Sequence, residues 1–217
     1  MQLVKRYKFD QTIDPDWNPI GTLRTAESNA VIEEGALSLW SREYTGTQKG
    51  DPWRGGSVVL ELPRTYGKYA VDLRVDPGAN TKALAMLIFP SAGYDEDQEI
   101  DFLEQGGNLN ADRHMIACSA HYGTDEMVRR TLPEKGGDPL TTTEWCTVVC
   151  NWQPFQITYV WRPLGDYTKQ QSIQIPNPGV FQPLKLHLTH WPHYSKTGGP
   201  WPEAPSRMQV KEVRIWQ

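Results

Sequence analysis

The 217-residue sequence predicts an all-β sandwich folded as a single domain over residues 1–217, and three observations lead there. Short runs of alternating apolar and polar residues recur along the chain, the period of a strand with one face in a core. Seventeen Pro and eighteen Gly supply turn signals between those runs. No long segment carries a 3.6-residue apolar period, and Pro near Asp14-Pro15, from Pro176 to Pro183 and from Pro200 to Pro205 blocks helices there.

The elements follow in order. Ala36-Leu37-Ser38-Leu39-Trp40 and Ser57-Val58-Val59-Leu60-Glu61-Leu62 read as strands. Lys68 to Val75 is the clearest: Tyr69, Val71, Leu73 and Val75 face one way, while Lys68, Asp72 and Arg74 face the other. Ala83 to Phe89, Glu99 to Glu104, His114 to His121, Thr147 to Trp152 and Gln156 to Trp161 continue the series, and Leu184 to Leu188 and Met208 to Trp216 close it. The Pro-rich stretches near Trp191 and Trp201 read as long loops, which in sandwiches often border a binding face.

Composition excludes several classes. A net charge of −4 with interspersed signs gives no basic footprint for nucleic acid. No stretch approaches the roughly 20 apolar residues of a membrane helix. Cys118, Cys146 and Cys150 lack zinc spacing. Cys146 and Cys150, four apart in one strand, would stand roughly 13 Å apart at Cα, too far for a disulfide. Cys118 could pair with either, but three buried thiols is the preferred expectation.

The most informative residues are Glu99-Ile100-Asp101-Phe102-Leu103-Glu104. Glu99 and Asp101 share a strand face, whereas Glu104, three further on, would fall on the opposite one. A β-bulge absorbing one residue at Phe102-Leu103 would return all three acids to one side. Like charges so placed raise at least one pKa, as a general acid requires. A retaining glycosidase needs two carboxyls about 5–5.5 Å apart, and two glutamates leaning over a shorter aspartate could close the gap. Solvated acids on an edge strand, or a calcium cluster, would explain the same six residues.

The flanking segments narrow the choice. The acidic segment resembles the bulged E-x-D-x-x-E active-site strand of family 16 glycoside hydrolases, in the laminarinase-like and agarase-like form. Tyr66-Gly67-Lys68-Tyr69-Ala70-Val71-Asp72-Leu73-Arg74-Val75 resembles the family's Y-G-k-f-e-a-r-v-k strand, with Gly55-Gly56-Ser57 before it. His121 resembles the histidine beside the acidic strand. Asn151-Trp152-Gln153-Pro154, Phe181-Gln182-Pro183-Leu184, Gly198-Gly199-Pro200-Trp201 and Met208 to Gln217 resemble later motifs, so the likeness runs from about residue 36 to the end.

The resemblance implies a concanavalin A-like jelly roll of two antiparallel sheets acting on a β-linked polysaccharide. It implies Glu99 as nucleophile, Glu104 as acid/base and Asp101 as the group that tunes the nucleophile. His121, Trp145, Trp152, Trp191 and Trp201 are the expected substrate contacts, since aromatic faces suit the apolar faces of sugar rings. No cofactor is expected, although a structural calcium could sit near Asp95-Glu96-Asp97. His187, His190 and His193 recur every three residues, but their spacing fits no known metal site well.

Departures from the family pattern are also present. Leu87 stands where a Trp platform is expected, Trp161-Arg162-Pro163 replaces a D-g pair, and Lys211 replaces an acid. Family members are usually exported, yet the first residues, MQLVKRYKFDQ, hold no apolar signal region. That leaves the mature part of a precursor, an intracellular protein, or a component released by lysis, such as part of a phage tail. The alternative to an enzyme is a non-catalytic glycan-binding or structural module on the same scaffold.

Overall fold

The computed structural model describes the chain except for residues 23–24, 45–51, 77–79, 89–97, 107–113, 123–125, 135–136, 193–201 and 203. Trp201 with its Gly198-Gly199-Pro200 loop, His193, and Asp95-Glu96-Asp97 all lie outside the described residues.

The described chain forms two antiparallel sheets, and its one helical turn is a 3₁₀ segment at Glu27–Asn29. The first sheet runs β14 (Gln171–Pro176), β13 (Gln156–Pro163), β12 (Cys146–Trp152), β7 (Gly67–Val75), β16 (Ser206–Trp216), β4 (Ala36–Glu43) and β3 (Ala30–Glu33). Two short strands flank it: β1 (Leu3–Lys8) on β16, and β5 (Trp53–Arg54) on β4. The second sheet runs β11 (Glu126–Leu132), β10 (Ile116–Tyr122), β9 (Gln98–Gly106), β8 (Thr81–Ile88), β15 (Lys185–Pro192), β6 (Gly56–Leu60) and β2 (Trp17–Pro19).

Alternation builds the core. Tyr69, Val71, Leu73 and Val75 of β7 point inward and are buried with Val148, Cys150 and Trp152 of β12. From the other sheet come Ile100, Phe102 and Leu103 of β9, Cys118 and Ala120 of β10, and Leu186 and Leu188 of β15. Fully burying each such large apolar side chain contributes roughly 1.5–3 kcal/mol. Tyr159 of β13 spans the sandwich, its hydroxyl donating to the Ser119 carbonyl at 2.8 Å. The three cysteines are free and buried, and burial pushes the Cys146 thiol up to about 12, so these are packing residues.

Two glycines admit close backbone contacts. Gly67, at φ +126°, opens β7, and a Cβ there would lie 2.7 Å from the Trp216 carbonyl oxygen. At Gly55 a Cβ would stand 2.2 Å from the His190 carbonyl oxygen, so the chain reaches β15 at Trp191 only without a side chain.

Three expectations change here. Leu87 lies in the core, in register with Ile100 and Leu186, so the missing Trp alters packing and removes no platform from the outer face. Trp152 is fully buried, packs edge-on against Tyr66 and donates its indole N–H to the Val180 carbonyl. Alternation along β12 gives it the core face. Trp145 precedes β12 on the outer face of the nine-stranded sheet, with Arg74 and Lys211 over its ring at 5.2 and 4.0 Å. Neither Trp145 nor Trp152 can stack a sugar over the acidic strand.

Candidate active site

The bulge expected from the spacing of the acids is present in β9. On one side Met86 pairs with Asp101 and Ala85 with Leu103, leaving Phe102 as the extra residue. On the other, Ser119 pairs with Asp101 and Ala117 with Glu104, so that Cys118 alone faces Phe102 and Leu103. Phe102 and Leu103 are both buried, so the irregularity is seated in the core and turns Glu104 back to the face of Glu99 and Asp101.

Cross-strand register then populates that outer face. Row by row it brings together His121, Glu99 and Ile88; then Ser119, Asp101, Met86 and His187; then Ala117, Glu104, Leu84 and Thr189. Trp191 stands beside Lys82 at the end of the same face. Of the expected contacts, His121 and Trp191 are therefore on the acidic face.

Asp101 is the hub. It is 3% exposed, accepts a hydrogen bond from the Ser119 hydroxyl at 2.7 Å, and has His121 Nε2 at 3.4 Å from Oδ2. Burial alone would raise its pKa. Hydrogen bonding with His121, Glu99 and Ser119, together with the charge on His121, outweighs burial and holds this carboxyl below its usual range. Asp101 thus stands as the acid that the surrounding hydrogen bonds keep ionised, beside Glu99.

Donor atoms of Glu99, Asp101 and His121 lie within 4.8 Å of one another. Two bare carboxylates at that separation would repel by roughly 3 kcal/mol at an effective dielectric of 20, which the Ser119 and His121 contacts to Asp101 oppose. The same three atoms are the grouping among the described residues that could hold a cation.

Glu104 is arranged differently. It is 8% exposed, with Lys82 Nζ 2.5 Å from Oε1 and Arg129 Nη2 3.2 Å from Oε2. Each oxygen thus already faces a cation. Ser119, Lys82 and Arg129 carry no motif of their own; only the register of β8, β10 and β11 against β9 brings them to the acids. His187, on the same face, is partly buried, and burial with the nearby Lys185 pushes its pKa down to about 4 against the opposing pull of Glu61. His190 of the same strand points inward to Ser206 at 2.9 Å, so the two histidines occupy opposite faces and cannot share a metal.

Solved structures with this architecture show what it resembles. The catalytic domain of an endo-1,3-β-glucanase (laminarinase) from Thermotoga petrophila RKU-1 superposes with a TM-score of 0.80, over 100% of this chain and 97% of that one, at 20% identity. The fold is that of the laminarinases. The Pyrococcus furiosus endo-β-1,3-glucanase matches at TM-score 0.80, 16% identity, and 100% and 94% coverage. A β-1,3-1,4-glucanase (lichenase) from a mouse hindgut metagenome matches at 0.73, 14% identity and 97% coverage of both chains. No protein-family model and no curated protein sequence matches the chain.

Proposed function

We propose that this protein is a divergent family 16 glycoside hydrolase, a retaining endo-glycosidase of a β-linked polysaccharide. The observation that carries the proposal is the β9 bulge, which gathers Glu99, Asp101 and Glu104 on one outer face of a laminarinase-type sandwich. A residue inserted in a strand disturbs the ladder, and the arrangement it produces here crowds acids. Crowded acids oppose stability and serve acid–base and nucleophilic chemistry.

In this reaction Glu99 attacks the anomeric carbon as the C–O bond breaks, and the departing oxygen takes a proton from Glu104. Water then adds to the glycosyl-enzyme, gives its proton to Glu104 and releases Glu99. Attack requires an ionised Glu99, and Asp101 beside it orients that carboxylate. Ser119 and His121 hold Asp101 in place for that role. Trp191 offers an aromatic platform at the end of the face. Transfer of the glycosyl group to a second sugar in place of water would use the same intermediate.

One observation favours the rival, a glycan-binding module: Lys82 and Arg129 already engage both Glu104 oxygens. A glycosidic oxygen must displace one of them before it meets the acid. The discriminating experiment is proton NMR of the first anomer released from a β-glucan or β-galactan. Retention of the β configuration supports the double displacement, and release of the α anomer contradicts it.

A further inference from the structure

Resting on the glycosidase proposal, we infer that Lys82 and Arg129 form a binding site for an anionic substituent of the substrate. The polysaccharide would thus carry sulfate esters or uronate carboxylates.

The inference starts from the charges around Glu104. A carboxyl that must hand over a proton is gripped at Oε1 by Lys82 and at Oε2 by Arg129. Both oxygens face a cation, so a glycosidic oxygen reaches this carboxyl only by displacing one of them. Stability alone does not call for two cations on one acid, because partly exposed ion pairs contribute only about 0–1 kcal/mol. The Arg129 contact is also incompletely used: Nη2 is buried and makes no aligned hydrogen bond, despite lying 3.2 Å from the carboxylate.

Lys82 and Arg129 approach Glu104 from opposite neighbours of β9, Lys82 directly from β8 and Arg129 from β11 across β10. Lys82 is also the register partner of Trp191, and such cross-strand neighbours have Cβ atoms about 5 Å apart. A sugar stacked on Trp191 would lie beside Lys82, within reach of an anionic substituent. Arg129, with a planar guanidinium, suits bidentate recognition of a carboxylate or sulfate.

The functional consequence is a substrate-dependent exchange. An arriving anion takes the two cations from Glu104. The freed carboxyl is then open to the glycosidic oxygen, to which it delivers its proton. A neutral polymer supplies no competitor for the cations and leaves Glu104 engaged. The site would accordingly select charged substrate both in binding and in the chemical step.

The test compares laminarin with sulfated laminarin and with laminarin oxidised to uronate at C6, beside agarose and sulfated agarose. Binding is read by affinity electrophoresis with Glu99→Gln, which leaves the anion site intact, and cleavage is read as reducing ends released by the unmodified chain. We expect at least one anionic polymer to bind roughly tenfold tighter than its neutral parent. That margin should disappear in Lys82→Gln and Arg129→Gln proteins whose melting temperatures are unchanged. The sulfated and oxidised arms identify which anion is taken.

Equal binding of charged and neutral polymers, or binding of none, overturns the inference without recourse to any variant. Cleavage of a neutral parent as fast as its charged derivative does the same. Anion-selective binding with no cleavage of any polymer would retain the site and overturn the glycosidase reading instead.

Discussion

The outer faces of the two sheets carry similar residue types and use them in opposite ways. On the nine-stranded sheet, acids are matched by arginines. Arg207 meets Glu33, Glu34 and Asp76, Arg214 meets Asp72 and Glu212, and tryptophans 40, 145 and 216 each lie beneath a cation. On the seven-stranded sheet, Asp101 is hydrogen-bonded beside Glu99 and Glu104 collects two cations. Buried Asp72 illustrates the contrast, since it is satisfied by Thr147 and Arg214, whereas buried Asp101 is held against another acid. The first face neutralises its charges, whereas the second keeps like charges together, as the proposed chemistry requires.

That contrast can be broken at several points, beginning with the tryptophans. Trp152→Ala should cost about 3–5 kcal/mol, the loss expected for a large buried aromatic. At about 2–4 °C per kcal/mol, the melting temperature should fall by roughly 10 °C. Trp191→Ala should barely move it while raising KM on the polymer. A substrate defect with Trp152→Ala at unchanged stability would contradict the placement of that residue.

The aspartates come next. Asp101→Asn should lower kcat by about 10²–10³-fold, because Glu99 loses the carboxylate that orients and tunes it. Its melting temperature should stay close to that of the parent. Asp72→Asn should show the reverse, about 1–3 kcal/mol less stable through a weakened buried ion pair and catalytically unchanged. Melting curves and initial rates on the same preparations decide it.

The smallest effect concerns pH. His187 is held neutral in the folded chain, with a pKa near 4 against about 6.5 when unfolded. Between those values the unfolded state binds the extra proton, so stability is complete above about pH 6.5 and declines as pH falls toward 4. The decline attributable to this residue is about 1–3 kcal/mol. A His187→Gln protein should show a correspondingly flatter dependence of melting temperature on pH across that window.

Much of this was legible in the sequence, for physical reasons that differ by element. Lys68 to Val75 announced its faces by strict alternation, and it is the central strand β7. The acids announced the bulge, because only an extra residue returns Glu104 to the face of Asp101. Short strands such as β2, β3 and β5 were not legible, since two to four residues carry too little periodicity. Nor were Ser119, Lys82 and Arg129, which matter only through a register fixed by long-range pairing. Trp152 misled because a tryptophan suits a core as well as a sugar, and aromatic character alone does not reveal which face a strand presents.

The most direct test of the central claim is release of reducing ends from a panel of neutral and anionic β-linked polysaccharides, with Glu99→Gln beside the parent chain. The proposed chemistry predicts release from at least one polymer and a loss on the order of 10⁴-fold or more in the variant, the scale of removing a covalent nucleophile. Equal release by both proteins, or no release by either with binding unchanged, would contradict it.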